Sequence, residues 1–228
     1  MSVTVISVAL MSAPVITYDL GMSRWEPDAR GRLEQAALEL FVERGFEQTT
    51  VAEIAQRAGL TERTFFRHFA DKREVLFAGA AALQEFLVRA VAQGPGPAPP
   101  LDAIAAALQA AASLFQERGD YPRQRQAVIA ANAELQEREL IKLAALAAAM
   151  AGALRGRGVP EPTASLAAQA GIAVFRIAFE RWTAEDCQPD LATLIRDSLD
   201  NLKAMTAGRA IAKAEYLCTR AVVYAPTT

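Results

Sequence analysis

From residue 28 onward the apolar positions of this chain recur at helical spacing. Leu33, Ala37, Leu40 and Phe41 stand at i, i+4, i+7 and i+8, on one face of a helix that begins near Asp28. Arg44-Gly45 ends it, a cation in the last turn followed by a glycine. Thr50-x-x-Glu53 opens a second helix, because the hydroxyl can accept from a free backbone N–H while the carboxylate reaches back to the cap. That helix carries Val51, Ile54, Ala55 and Ala58. Gly59 breaks it, Leu60 is an apolar turn residue, and Thr61 caps a third short helix reaching about His68. Asp71-x-x-Glu74 repeats the capping pattern ahead of a long helix through Val75, Leu76, Leu83, Phe86, Leu87 and Ala90.

The run from Gly94 to Pro100 contains two glycines and four prolines and is expected to be a turn or short linker. Beyond it the pattern predicts a helix of about Leu101 to Arg118, a break at Gly119-Asp120-Tyr121-Pro122, and a shorter helix through Val128 and Ile129. No stop signal then separates this helix from one carrying Leu140, Leu143, Ala147, Met150 and Leu154, which ends at Arg155-Gly156-Arg157-Gly158. Two more helices follow, roughly Thr163 to Ala184 and Leu191 to Ala207, separated by Cys187-Gln188-Pro189-Asp190. After Met22 no segment alternates with period two for long enough to compete as a strand. The expected class is all-α with about nine helices: an N-terminal three-helix unit containing a helix-turn-helix, then a C-terminal helical bundle.

Composition supports this. Of 228 residues 49 are alanine, the best helix former, and glycine and proline together number 24. Cys187 and Cys218 form no CxxC pair, which excludes a zinc ribbon and a disulfide scaffold. A single histidine, His68, excludes multi-histidine metal sites and argues against acid/base catalysis, so neither metal nor cofactor is expected. Met1 to Tyr18 carry no basic n-region and include Pro14. They are expected to be a flexible extension rather than a signal peptide or membrane span, with Met22 a candidate alternative start and the cytoplasm the default location.

Net charge is −2, so the molecule is no polycation that binds nucleic acid by bulk charge. The local balance differs. Between Arg57 and Arg73 five basic residues face two acidic ones, and a cationic patch on a short helix is what phosphate binding requires. Three short helices within about forty residues, the second and third separated by a glycine turn, are the arrangement of a helix-turn-helix, whose second element enters a major groove.

Residues Leu33 to Phe77 resemble the DNA-binding domain of the TetR family of bacterial transcription regulators. The matching stretches are Ala37-x-x-Leu40-Phe41-x-x-x-Gly45-Phe46-x-x-Thr49-Thr50-Val51-x-x-Ile54-Ala55-x-x-Ala58-Gly59-Leu60 and Thr61-x-x-Thr64-Phe65-Phe66-Arg67-His68-Phe69-x-Asp71-Lys72-x-x-x-Leu76. They cover about a fifth of the chain. The resemblance implies a homodimeric repressor that binds a palindromic operator and leaves it when a small molecule enters the C-terminal domain. It places Thr50, Thr64, His68 and Lys72 where the family touches phosphate, and Glu62, Arg63 and Arg67 where it faces base edges. Arg63 and Arg67, four apart, share a helix face, and arginine suits the O6/N7 edge of guanine. Thr61 completes the DNA-binding set at the start of the third helix. Phe66 stands where the family often has tyrosine; lacking the hydroxyl, it is expected to make an apolar contact with a thymine methyl or with sugar.

The expected division is an extension over 1–23, the helix-turn-helix domain over 24–73, a ligand-binding and dimerisation domain over 74–207, and a tail over 208–228. A sensor pocket is mostly apolar with a few polar selectors. Candidate linings are Leu108, Phe115, Ile129, Asn132, Leu143, Met150, Phe175, Arg176 and Phe179, most of which also suit a plain core. Arg176 has a potential partner four residues on, Glu180. Two apolar faces, Leu166, Ala170, Ala173, Val174 and Ile177 on the penultimate helix and Leu191, Leu194, Ile195, Leu199, Leu202 and Met205 on the last, suggest a dimer interface. Competing readings are a helical protein-interaction module, an activator without small-molecule control, and an enzyme on a bundle scaffold. The enzyme reading finds no triad, metal cluster or phosphate loop in the sequence.

Overall fold

The computed structural model describes residues 28–94, 98–184 and 189–207, which form nine α-helices, one 3-10 turn and no strand. The extension before residue 28, the tail after 207 and Cys187 lie outside the described residues. Helix α1 (Ala29–Arg44) starts at Asp28, whose carboxylate accepts from the Gly31 N–H at 2.9 Å, and it buries the predicted face of Leu33, Ala37, Leu40 and Phe41. Helix α2 (Val51–Arg57) opens on a complete capping box: the Glu53 N–H donates to the Thr50 hydroxyl at 3.2 Å, and the Thr50 N–H to the Glu53 carboxylate at 2.9 Å. Gly59 turns the chain at φ +66°, a left-handed conformation that side-chain-bearing residues resist. Thr61 then caps α3 (Glu62–His68).

The long helix expected after Asp71 is two elements. Asp71 accepts from the N–H groups of Arg73 and Glu74, but what it caps is a 3-10 turn (Glu74–Phe77) that ends at Ala78-Gly79 before α4 (Ala80–Gln93) begins. The apolar pattern runs unbroken through both because the turn sinks Val75, Leu76 and Phe77 into one core while α4 sends Leu87 and Val91 to another. Then come α5 (Pro100–Gln116), α6 (Tyr121–Ala130), α7 (Ala133–Gly156), α8 (Thr163–Ala184) and α9 (Leu191–Thr206). The break invisible in the sequence falls at Ala131-Asn132, where Asn132 is extended (φ −133°) and its amide donates to the Val128 carbonyl.

Two apolar clusters organise these helices. The head is built on Leu33, Leu40, Phe41, Phe46, Ile54, Phe65 and Phe69; Val128, Ile129 and Leu135, at the α6–α7 corner, are buried in it. The body gathers α4, α5, α7, α8 and α9 around Ile104, Leu108, Met150, Phe175, Leu194 and Ile195. Helices α5 and α8 approach closely: a Cβ on Gly171 would lie 2.2 Å from Ile104 Cγ2. The apolar face of α9 is spent inside the chain, since Leu191, Leu194, Ile195 and Leu199 are buried in the body, Leu202 is half-buried and Met205 alone of this face is exposed. On α8 the two faces separate: Val174 is buried, whereas Leu166 (67% exposed), Ala173 and Ile177 (53%) stand outward with Ala170 beside them.

Candidate nucleic-acid interface

Helix α3 has only seven residues, too few to be stable by itself, and it is held from beneath by two aromatic side chains. Phe65 and Phe69, one turn apart, are buried with ring centroids 5.4 Å from each other. Helical geometry then turns Glu62, Arg63, Phe66 and Arg67 to the opposite side, and all four are exposed. Phe66 is 55% exposed, an apolar ring held outward and in edge contact with Phe65 at 5.5 Å. Thr61 is exposed and Thr64 half-buried; their hydroxyls lie 3.1 Å apart at the helix start. This surface presents two guanidinium groups, one carboxylate, hydroxyls and an apolar ring, the set of groups that reads base edges and sugar.

The flanking positions are more constrained. The Thr50 hydroxyl donates to Glu53 at 2.8 Å. The Thr50 backbone N–H, then its hydroxyl, then the nearby Arg44 hold the Glu53 carboxyl below its usual value. Arg44 bridges α1 to α2 through Glu53 at 3.0 Å. Lys72 Nζ donates to the Phe46 carbonyl at 2.8 Å and stands 4.2 Å from the centre of the Phe46 ring, so it ties the α1–α2 loop to the segment after α3. His68 is half-buried, its Nε2 without a hydrogen-bond partner among the described residues. It lines a cleft of about 250 Å³ together with Arg30, Phe69, Glu74, Arg138 and Lys142.

The charge count of the segment is redistributed by these contacts. Arg57 is paired with Glu43 at 2.9 Å and Glu39 at 3.3 Å, and the Glu43 hydrogen bond holds its guanidinium protonated above the ordinary range. Arg73 is paired with Asp71 at 2.7 Å. Arg63 and Arg67 are the basic residues exposed on the outer face of α3.

Of the nine candidate sensor residues, Leu108, Phe115, Leu143, Met150, Phe175 and Phe179 come together in the body core. Phe115, Phe175 and Phe179 stack at 5.3 to 5.8 Å, and Trp182, which the sequence reading did not select, joins them 5.7 Å from Phe179. Three lie elsewhere. Ile129 is buried in the head core, Asn132 is the cap of α7, and Arg176 is exposed with Glu180 at 3.7 Å. Trp182 lies at helical spacing from Phe175 and Phe179, a signal that was present in the sequence. The polar residues that join head to body had no such signal. Glu74 meets Arg138 at 2.6 Å and Lys142 at 3.0 Å across more than sixty residues of chain. Burial alone would raise the Glu74 carboxyl; hydrogen bonds from Lys142 and Arg138 outweigh it and hold it below the usual carboxylate value.

Comparison with known proteins places the same segments. Residues 34–78 match the model of bacterial regulatory proteins of the tetR family, and residues 98–207 match the MftR C-terminal domain. The chain is 42% identical over 81 residues to the HTH-type transcriptional regulator TcmR of Streptomyces glaucescens, covering 36% of each chain. It is 38% identical over 66 residues to the HTH-type transcriptional activator FasR of Mycolicibacterium smegmatis, covering 29% of this chain and 30% of that one. The aligned segments thus span about a third of the length of the curated relatives. Over most of its length the fold is shared with SmeT, the repressor of the Stenotrophomonas maltophilia multidrug efflux pump SmeDEF (21% identity, 78% and 89% of the two chains, TM-score 0.53). It is shared also with FadR from Bacillus subtilis, solved with stearoyl-CoA (20%, 75% and 96%, TM-score 0.54), and with a SmeT–triclosan complex (22%, 88% and 99%, TM-score 0.55).

Proposed function

Because the chain belongs to the tetR family of bacterial transcription regulators, we propose that it is a cytoplasmic homodimeric repressor whose α3 enters the major groove of a palindromic operator, and that a small apolar or amphipathic molecule releases it. The observation that carries this reading is the sidedness of α3: Phe65 and Phe69 fasten it to the head while Glu62, Arg63, Phe66 and Arg67 all stand outward. Arg63 and Arg67 then read base edges with Glu62, and Phe66 packs on a thymine methyl or sugar. Thr50, Thr61, Thr64 and His68 approach phosphate at the rims. Lys72 contributes mainly by bracing Phe46, since its ammonium already donates to the Phe46 carbonyl.

The body supports the rest of the proposal. The cluster of Phe115, Phe175, Phe179 and Trp182 beside Leu108, Leu143 and Met150 is an apolar region that an amphipathic guest can part, and FadR and SmeT, which share the fold, were solved with stearoyl-CoA and triclosan. The outward stripe of Leu166, Ala170, Ala173 and Ile177 on α8 is where a second copy fits, its alanines allowing close helix approach. Dimerisation has a mechanical reason. Two recognition helices must be held roughly 34 Å apart, or a multiple of it, to meet successive grooves.

The experiment is a gel shift on DNA from the chain's own promoter region, across a salt series. Wild-type protein is expected to bind with an affinity that falls steeply with salt, and Arg67→Ala to lose about 1–3 kcal/mol of operator binding. Absence of salt-dependent binding to any fragment of the genomic neighbourhood overturns the reading. A transcription assay on the bound promoter separates repression from activation, the role that FasR's name carries. A panel of amphipathic molecules added to the complex identifies the class that releases it.

A further inference from the structure

The 3-10 turn between head and body is held from both sides. Its side chains belong to the head, where Val75, Leu76 and Phe77 are buried. Its polar groups meet α6 and α7. At its first residue the Glu74 carboxylate accepts from Arg138 Nε at 2.6 Å and again from Arg138 Nη2, and from Lys142 Nζ at 3.0 Å. At its far end Arg125 Nε donates to the Leu76 carbonyl at 2.7 Å and its guanidinium stands 5.0 Å from the Phe77 ring centre; Glu139 holds that guanidinium at 3.1 Å. The covalent link onward to α4 is just Ala78-Gly79. Two residues with rotatable backbone do not fix the angle between two packed units, so the side-chain contacts must.

The charge arithmetic of the contact is unusual. One carboxylate, 19% exposed, serves two cations that are themselves four residues apart on one face of α7. Neutralising Glu74 removes two attractions and leaves Arg138 and Lys142 repelling each other at the wall of the cleft that also holds Arg30 and His68. That cleft, about 250 Å³, is lined by His68 and Phe69 at the end of α3 and by Arg138 and Lys142 of α7.

We propose that Glu74, with Arg138 and Lys142, is a positioning residue for operator binding: the ion cluster between the 3-10 turn and α7 sets the angle at which the body presents α3. This rests on the repressor reading for its consequence, though not for its geometry. Motion of α7 reaches the DNA-binding helix through this cluster and through Val128, Ile129 and Leu135, which α6 and α7 insert into the head core.

The test measures head orientation directly. Spin labels are placed at Gln48→Cys in the head and Asn201→Cys in the body, both exposed positions, with Cys187 and Cys218 replaced by serine. Labelled chain is diluted with unlabelled chain so that distances within one protomer are read by double electron–electron resonance. Glu74→Gln is expected to broaden the head-to-body distance distribution and to weaken promoter binding about fivefold to tenfold, while the circular-dichroism spectrum is retained. Lys142→Gln, a change at a half-exposed side chain, is expected to do the same more weakly and carries the test if Glu74→Gln fails to fold. Glu74→Asp, which keeps a carboxylate opposite both cations, is expected to give a narrower distribution and tighter binding than Glu74→Gln. A wild-type distribution in Glu74→Gln and Lys142→Gln overturns the proposal. Wild-type protein that binds no promoter DNA removes the repressor reading and leaves the distance measurement to decide the cluster's role.

Discussion

Phe65 and Phe66 are neighbours with identical side chains and opposite fates, one fully buried and the other 55% exposed. A helix advances about 100° per residue, so once Phe65 and Phe69 are committed to the core, Phe66 must face out with Arg63 and Arg67. Phe66 keeps an edge contact with Phe65 at 5.5 Å, but more than half of its surface is open to solvent. Phe66→Tyr is expected to leave the unfolding midpoint unchanged and to strengthen operator binding by about 0.5–1.5 kcal/mol, because a phenol at this place supplies a hydrogen bond to phosphate. The same change should leave the slope of log affinity against log salt unaltered, as no charge is added. Unchanged affinity in a binding titration would mean that the ring does not lie beside the DNA backbone. Residue chemistry alone misleads elsewhere. Arg57, Lys72 and Arg73 count as basic in the sequence, yet Glu43, the Phe46 carbonyl and Asp71 hold them.

At the scale of elements, helix starts were legible because their signals are local. Asp28, Thr50, Thr61 and Asp190 each accept from an N–H three residues on, within one turn of chain. The 3-10 turn and the α6–α7 break were not legible, since both depend on which core a side chain enters. Gly171 belongs to this scale too. In sequence it is a helix-interior glycine, a position that usually disfavours the helix; in the fold it lets α8 lie against Ile104 of α5. Gly171→Ala should therefore destabilise the body by about 1–3 kcal/mol, against the helix-propensity gain that alanine brings at a free site. Chemical denaturation measures the difference, and a variant more stable than wild type would show that α5 and α8 yield at this contact.

For the whole molecule, the issue is how two apolar cores become one device. The outward stripe of Leu166, Ala170, Ala173 and Ile177 lies on α8 of the body, far along the chain from α3, and in the proposed dimer pairing there would fix the spacing of two heads. Ile177→Glu is expected to shift the protein to monomers in sedimentation and to lower operator affinity, since a monomer loses the gain of a tethered second site. Dimers of undiminished stability in that variant would place the interface elsewhere. The sequence by itself determined the all-α class, the caps, the helix-turn-helix and the residues on the outer face of α3, because each follows from periodicity or contacts within a few turns. Only the tertiary structure decided that α9 spends its apolar face internally, that Ile129 serves the head and not the body, and that Glu74 meets Arg138 and Lys142. Those outcomes join positions tens of residues apart, and a helical pattern records that a face is apolar or charged without recording what lies opposite it.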